Sequence, residues 1–136
     1  MKLSILDQSP IRENGTPSEA IFETIELAKQ AESFGYHRYW LAEHHDSSGL
    51  ACAAPEILIS QIAANTKHMR VGSGGIMLTH YSPLKVAEVF RMLETLNPGR
   101  IDLGLGRAPG SSQSAAHALA NGLATMSLED YPNQIQ

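Results

Sequence analysis

Tyr39-Trp40-Leu41-Ala42-Glu43-His44-His45-Asp46 is an apolar run that breaks abruptly into an acid, two imidazoles and a second acid. Runs of this kind read as buried strands that stop at a polar rim. Successive side chains on a strand point to opposite faces. His44 and His45 therefore cannot share a pocket unless the strand has already ended. At least one is expected to look into a cavity, and the other is free to act as a structural hydrogen-bonder.

Outward from this stretch, the same unit repeats. Leu3, Ile5 and Leu6 mark a first strand over residues 2–7, ended by Gln8-Ser9-Pro10. The second strand covers about residues 38–43. A third spans 69–73 and runs into Gly74-Gly75, and a fourth spans 101–105. Helices fill the gaps. Thr16-Pro17-Ser18-Glu19 is a capping box with proline at the first helical position. Ile21, Phe22, Ile25 and Ala28 follow at helical spacing, and Gly35 closes that helix. Pro55 and Glu56 open a second helix with Leu58, Ile59, Ile62 and Ala63 on one stripe. Ser82-Pro83 opens a third, with Val86, Val89, Phe90, Leu93 and Leu96 on one side, and Asn97-Pro98-Gly99 stops it. Residues 108–127 are small and aperiodic and read as a mobile loop. Asp130 and Pro132 look like the start of a fourth helix.

The order βαβαβαβ predicts a parallel sheet with right-handed crossovers. Two architectures fit: an open doubly wound sheet, or part of a (β/α)8 barrel. A full barrel needs roughly 250 residues, so the 136 present amount to about half of one, a single partial domain over residues 1–136. Half a barrel exposes two apolar strand edges, and self-association into a homo-oligomer is expected from that.

Composition excludes several classes. Hydrophobic content of 43% and charged content of 18% suit a globular domain. A net charge of −4 leaves no electrostatic footprint for nucleic acid. No apolar run reaches the roughly 20 residues of a membrane span. The N-terminal apolar run is too short for a signal peptide, and one cysteine, Cys52, excludes an internal disulfide. A cytoplasmic location is the default expectation.

Ligands of parallel α/β sheets bind at the C-terminal strand ends. Four candidate groups fall there: residues 7–10, Glu43 to Asp46, Gly74-Gly75, and the glycine-rich stretch 104–110. Glu43-His44-His45-Asp46 suits proton transfer or ligand contact. It is open equally to a loop-orienting role and, more weakly, to metal binding. Gly74-Gly75 permits close backbone approach to a flat ligand, although a bulge or tight bend explains it as well. Gly104-Leu105-Gly106-Arg107-Ala108-Pro109-Gly110 is not a dinucleotide fingerprint: the spacing is wrong and it follows the fourth strand. Arg107 is placed to grip an anionic group, or to pair with a rim carboxylate. His80 is a further candidate for the rim, His37 and His68 read as surface residues, and Cys52 has no base nearby in sequence.

Residues 39–45, 70–76, 82–83 and 98–107, in this order, resemble the N-terminal part of the bacterial luciferase-like flavin monooxygenases. The resemblance covers residues 1 to about 110. It implies the N-terminal half of a (β/α)8 TIM barrel, truncated after the fourth strand. It also implies reduced FMN supplied by a separate flavin reductase, with O2 oxidising a small organic substrate. By the same resemblance His44 is the acid–base residue, with His45 and Glu43 supporting it. Gly74 and Gly75 form a non-proline cis step beneath the flavin ring, and Gly106 and Arg107 line the cofactor, Arg107 at its phosphate. Luciferases carry a reactive cysteine where this chain has Gly106, which argues against light emission and a long-chain aldehyde. Alternatives are a deazaflavin (F420)-dependent oxidoreductase, a non-catalytic flavin-binding protein, and a self-associating half-barrel.

Overall fold

The computed structural model describes residues 1–108, 112–120 and 131–135. Four strands, β1 (Ser4–Asp7), β2 (Arg38–Leu41), β3 (Arg70–Met77) and β4 (Ile101–Gly106), form one parallel sheet in the order β1-β2-β3-β4. Helices α1 (Pro17–Ser33), α2 (Pro55–Asn65) and α3 (Pro83–Leu96) make the crossovers. Sequential order without a reversal gives no topological switch point, so the doubly wound alternative is excluded. The fold is half of a singly wound barrel.

Local signals account for most boundaries. The Glu19 amide donates to the Thr16 hydroxyl at 3.2 Å, and Glu19 accepts from the Thr16 amide at 2.7 Å, completing the capping box. Gly35 adopts φ 78° beyond α1. Ser82 occupies the N-cap of α3 but makes no side-chain cap bond. β2 ends at Leu41, two residues before the expected limit, while β3 runs on to Met77. Helix Gln113–Leu119, α4, occupies part of the stretch expected to be a loop, because Ser112 caps it by accepting from the Ala115 amide. The short helix Tyr131–Ile135, α5, lies where a helix start was expected, and Asp130 falls outside the described residues.

One face of the sheet carries the core. Tyr39, Leu41, Val71 and Ile101 are buried there with Ile59, Ile62, Phe90 and Leu93. The buried stripe of α1 is Ala20, Thr24, Ala28 and Ala31. Phe22, expected to be buried, is 67% exposed, and Leu96 of α3 is 65% exposed. α1 lies against α2, and Phe22 falls outside the small-residue stripe that is buried.

On the opposite face, at the N-terminal end, Asp102 takes hydrogen bonds from Arg38 Nε at 2.6 Å and Arg70 Nε at 2.8 Å. Burial pushes the Asp102 carboxyl up, but the Arg70 and Arg38 bonds outweigh it and hold the group below the usual carboxylate range. Arg38 also lies over the Trp40 ring, 5.1 Å from its centroid. Trp40 needs room. A Cβ at Gly72 would lie 2.4 Å from the Asp102 carbonyl oxygen and 2.8 Å from Trp40 Cζ3, and a Cβ at Gly104 would lie 2.2 Å from the Ser73 carbonyl oxygen.

Gly72→Ala should therefore destabilise the chain by about 1–3 kcal/mol, the range for overpacking. Gly49→Ala, where a Cβ meets nothing within 4 Å, should cost no more than about 0.5 kcal/mol. Urea midpoints of the two variants check this; equal midpoints would mean that Trp40 does not press on β3.

Candidate active site

The rim is built where β2 ends beside the middle of β3, Leu41 being paired with Ser73 while β3 continues to Met77. Beyond Leu41 the Ala42 amide donates to the Asp7 carbonyl at 2.9 Å, which holds the chain in line for one more residue. Glu43 then turns inward and is 1% exposed. A carboxylate out of water is costly unless donors meet it. Three do. Tyr81 Oη donates to Glu43 Oε1 at 2.5 Å, His45 Nε2 lies 2.6 Å from the same oxygen, and the Met77 amide donates to Oε2 at 2.8 Å. Burial, reinforced by the bond to Glu43, pushes the Tyr81 hydroxyl well above the ordinary tyrosine range, so it stays a donor. The His80 ring stands edge-on to His45 at 6.3 Å, which puts the 3-10 turn Leu78–His80 at this rim.

The two histidines part company, although both lie past the end of β2, where strand alternation no longer applies. His45 turns to Glu43 and also lines a cleft of about 560 Å³ with Asp46, Ser114, Ala115, Ala118 and Leu119. His44 lines a separate cleft of about 480 Å³ with Asp46, Ser47, Ser48, Leu50 and Ala53. The His44 amide donates to the Cys52 carbonyl at 2.9 Å, while its Nδ1 is buried with no hydrogen-bond partner among the described residues. A buried polar atom of that kind calls for an explanation.

The loop that carries them is pinned from β1. Ala51 donates to the Ser9 carbonyl at 2.9 Å and Ile11 to the Gly49 carbonyl at 2.8 Å. Ser9 is held in turn by Asp7, whose oxygens accept from the Ser9 amide at 2.7 Å and from Tyr39 Oη at 2.6 Å. Residues 7–10, expected at the rim, thus hold the His44–His45 loop in place. Asp46, at φ 52°, accepts from the Ser112 hydroxyl at 2.9 Å, which links the loop after β2 to the cap of α4.

Gly74-Gly75 is a cis peptide. It coincides with the irregularity in the β3–β4 ladder between Ser73 and Ile76, so the bulge reading is correct. A Cβ on Gly75 would fall 2.8 Å from the Leu105 carbonyl carbon and 2.9 Å from the Gly106 nitrogen, so only glycine fits against β4. Gly106 ends β4 opposite Met77. Arg107 follows it, exposed, and among the described residues no ion pair engages it. Gly110 lies outside the described residues. Cys52 is buried, and its thiol is pushed up to about 12 mainly by burial. No group of three or more His, Cys, Asp or Glu residues able to hold a metal occurs among the described residues.

Tyr81 was not singled out by sequence reasoning, although it sits one residue past His80 in the segment leaving β3. Its role becomes visible only when β3 is laid beside β2. The same holds for Tyr39, whose apolar neighbours hid a hydroxyl that needs Asp7.

Residues 1–130 match the model of the family described as Luciferase-like monooxygenase. An N-acetyl-S-alkylcysteine monooxygenase of Bacillus subtilis is 52% identical over 119 residues, 88% of this chain and 36% of the relative. The solved structure of apo-MsnO8 superposes with a TM-score of 0.93 at 48% identity, covering 98% of this chain and 40% of that one. A type II Baeyer-Villiger monooxygenase component from Pseudomonas putida, the oxygenating constituent of 3,6-diketocamphane monooxygenase in complex with FMN, superposes with a TM-score of 0.85 over 99% of this chain and 38% of that one. At 23% identity it shares the fold alone. The chain spans about 40% of the length of its curated relatives.

Thiol chemistry offers a check on this end of the fold. In the native chain Cys52 should react with a disulfide reagent at pH 8 on the order of a thousandfold more slowly than in urea, because the thiolate is the reacting form. Stopped-flow thiol titration measures it; comparable rates would mean that the loop against His44 is open.

Proposed function

Because the chain belongs to the luciferase-like monooxygenase family, we propose that it is the N-terminal part of a flavin-dependent monooxygenase acting on a small organic substrate with reduced FMN and O2. The flavin reaches it already reduced, from a separate reductase. The observation that carries the reading is the placement, around the C-terminal part of adjacent strands β2 and β3, of a side-chain-free step at Gly74-Gly75 and a histidine, His44, whose Nδ1 is buried with no hydrogen-bond partner among the described residues.

The residues present fit such a cofactor. Arg107 is an exposed cation with no ion-pair partner among the described residues, suited to a phosphate. Gly74 and Gly75 offer bare backbone to a flat ring, and Gly106 keeps the neighbouring strand end equally bare. The chemistry that reduced FMN supplies when bound is two-electron activation of O2. The chain contributes the rest: Arg107 binds, the glycines admit the ring, and the His44 imidazole gives or takes a proton. Glu43 and His45 hold the wall of the site. The bonds from Asp7 and Cys52 keep the loop from shifting. The strand edges support a further expectation: Leu6 is 58% and Leu103 42% exposed, so the partial domain associates with further chain or with a second copy. No described helix is long and apolar enough to cross a membrane. A cytoplasmic location, with a flavin reductase nearby, suits the reading.

Two variants test it. Arg107→Ala should weaken FMN binding by about 10- to 100-fold, the worth of one charge-assisted hydrogen bond, and leave riboflavin almost unaffected. Fluorescence titration distinguishes them; equal losses for both ligands would remove the phosphate role. His44→Ala should keep FMN affinity and lower oxygenation of an S-alkylated N-acetylcysteine, the substrate class named for the Bacillus subtilis relative, by about 10²–10⁴-fold. Unchanged turnover with photoreduced FMN would sink the role given to His44, and turnover without O2 would favour the deazaflavin alternative.

A further inference from the structure

Trp40 is partly exposed although β2 is an inner strand of the sheet, and the reading above gives it no task. Leu6, Trp40, Gly72 and Asp102 stand level across the four strands. The Trp40 side chain extends from β2 across β3 toward β4: a Cβ at Gly72 would lie 2.8 Å from its Cζ3, and one at Gly104 would lie 3.6 Å from the same atom. Arg38, two residues earlier on the same face of β2, covers one side of the indole, its guanidinium carbon 5.1 Å from the ring centroid. Asp102 holds that guanidinium in place. The other end of the Trp40 side chain borders the cis step. A Cβ at Gly74 would lie 3.0 Å from Leu6 Cδ1, 3.1 Å from Trp40 Cβ and 3.6 Å from Trp40 Cγ. Beyond Gly72 and Asp102, the same face of β3 and β4 carries only Gly74, Gly104 and Gly106 as far as the end of β4.

We infer that Trp40 is a cofactor-binding residue: the indole face that Arg38 leaves free, with Leu6 beside it, is the apolar floor on which the flavin ring stacks where it meets Gly74-Gly75. The inference rests on the proposed flavin site and adds to it the group that holds the ring, as Arg107 holds the phosphate. Three considerations carry it. An aromatic plate beside bare backbone suits a flat ring, because two π systems gain from offset stacking beyond the area they cover. The cation on the far face, itself tied to Asp102, restrains the indole, so the plate stands ready before a ligand arrives. The run of glycines on β3 and β4 leaves no neighbouring side chain of those strands to compete for the free face.

Trp40 is the only tryptophan of the chain, so its indole signals identify themselves in an NMR spectrum. Riboflavin is the probe, because it carries the ring without the phosphate. Its addition should move the indole signals upfield, the ring-current effect of a stacked π system. Trp40→Leu should weaken riboflavin and FMN alike, by about tenfold, whereas Arg107→Ala weakens FMN alone. Trp40→Phe keeps an aromatic plate and should recover most of the lost affinity. A Trp40 that only fills space would change the urea midpoint and leave the riboflavin affinity of the folded variants as it was. Riboflavin bound with the indole signals unmoved or shifted downfield, or bound equally well by Trp40→Leu, would overturn the inference and leave the functional reading standing. Should Trp40→Leu not fold, the indole signals of the parent chain decide. An upfield shift in a chain that never oxygenates with photoreduced FMN upholds the role of Trp40 and removes the monooxygenase. A parent chain that binds no riboflavin overturns both.

Discussion

A carboxylate withdrawn from water has to be met by donors, and the C-terminal rim of this sheet is arranged around two of them. Asp7 ends β1 and Glu43 follows β2. Each takes a tyrosine hydroxyl and a backbone amide: Tyr39 and Ser9 for Asp7, Tyr81 and Met77 for Glu43. Apart from Ser9, which follows Asp7 directly, the donors come from the next strand or from the turn beyond it. Each carboxylate therefore ties its own strand end to a neighbour, and the two ties run along the rim from β1 to β3. The loop bearing His44 and His45 is held between them. Truncating either tyrosine leaves a buried charge short of a donor, which costs more than the bond itself is worth.

The opposite end of the sheet is fixed by different physics. Trp40 lies against β3 and β4, and Gly72 and Gly104 leave the space it fills. Below it, Asp102 gathers Arg38 and Arg70 into one cluster. Further out, Arg100 bonds the Ala63, Thr66 and Met69 carbonyls, while Glu32 accepts from the amides of Lys67, His68 and Met69. These contacts close the turn between α2 and β3. These bonds stabilise that end of the sheet, whereas at the rim Arg107 has no ion-pair partner and His44 Nδ1 no hydrogen-bond partner among the described residues.

The sheet is nonetheless open. Leu6 on β1 and Leu103 and Leu105 on β4 are exposed at its edges, and Phe22 and Leu96 stand out from the outer helices. In the relatives, which are about two and a half times longer, a further stretch of chain is available to meet such surfaces. The rim groups face the same condition. In the proposed site, Arg107 and the Gly74-Gly75 step are contributions that the later strands of a full barrel would share.

Sequence alone determined the elements and their order, because each carries a local signal: the Thr16–Glu19 box, the turn at Asn97-Pro98-Gly99, and apolar periods of two and near four residues. Alternation along a strand suggested that His44 and His45 face apart, but β2 stops at Leu41, so the loop and its hydrogen bonds set their directions. The sequence placed Arg107 correctly just past β4, whereas Gly74-Gly75, expected to end the third strand, lies inside β3. Tertiary structure decided what these ends do to one another. The choice between barrel and doubly wound sheet depended on strand order, which no local pattern encodes. The burial of Glu43 beneath Tyr81, 38 residues away, depended on β3 lying beside β2. Phe22 and Leu96 were misplaced for a related reason: helical spacing defines a stripe, but only the packing of the neighbouring elements decides which residues are covered.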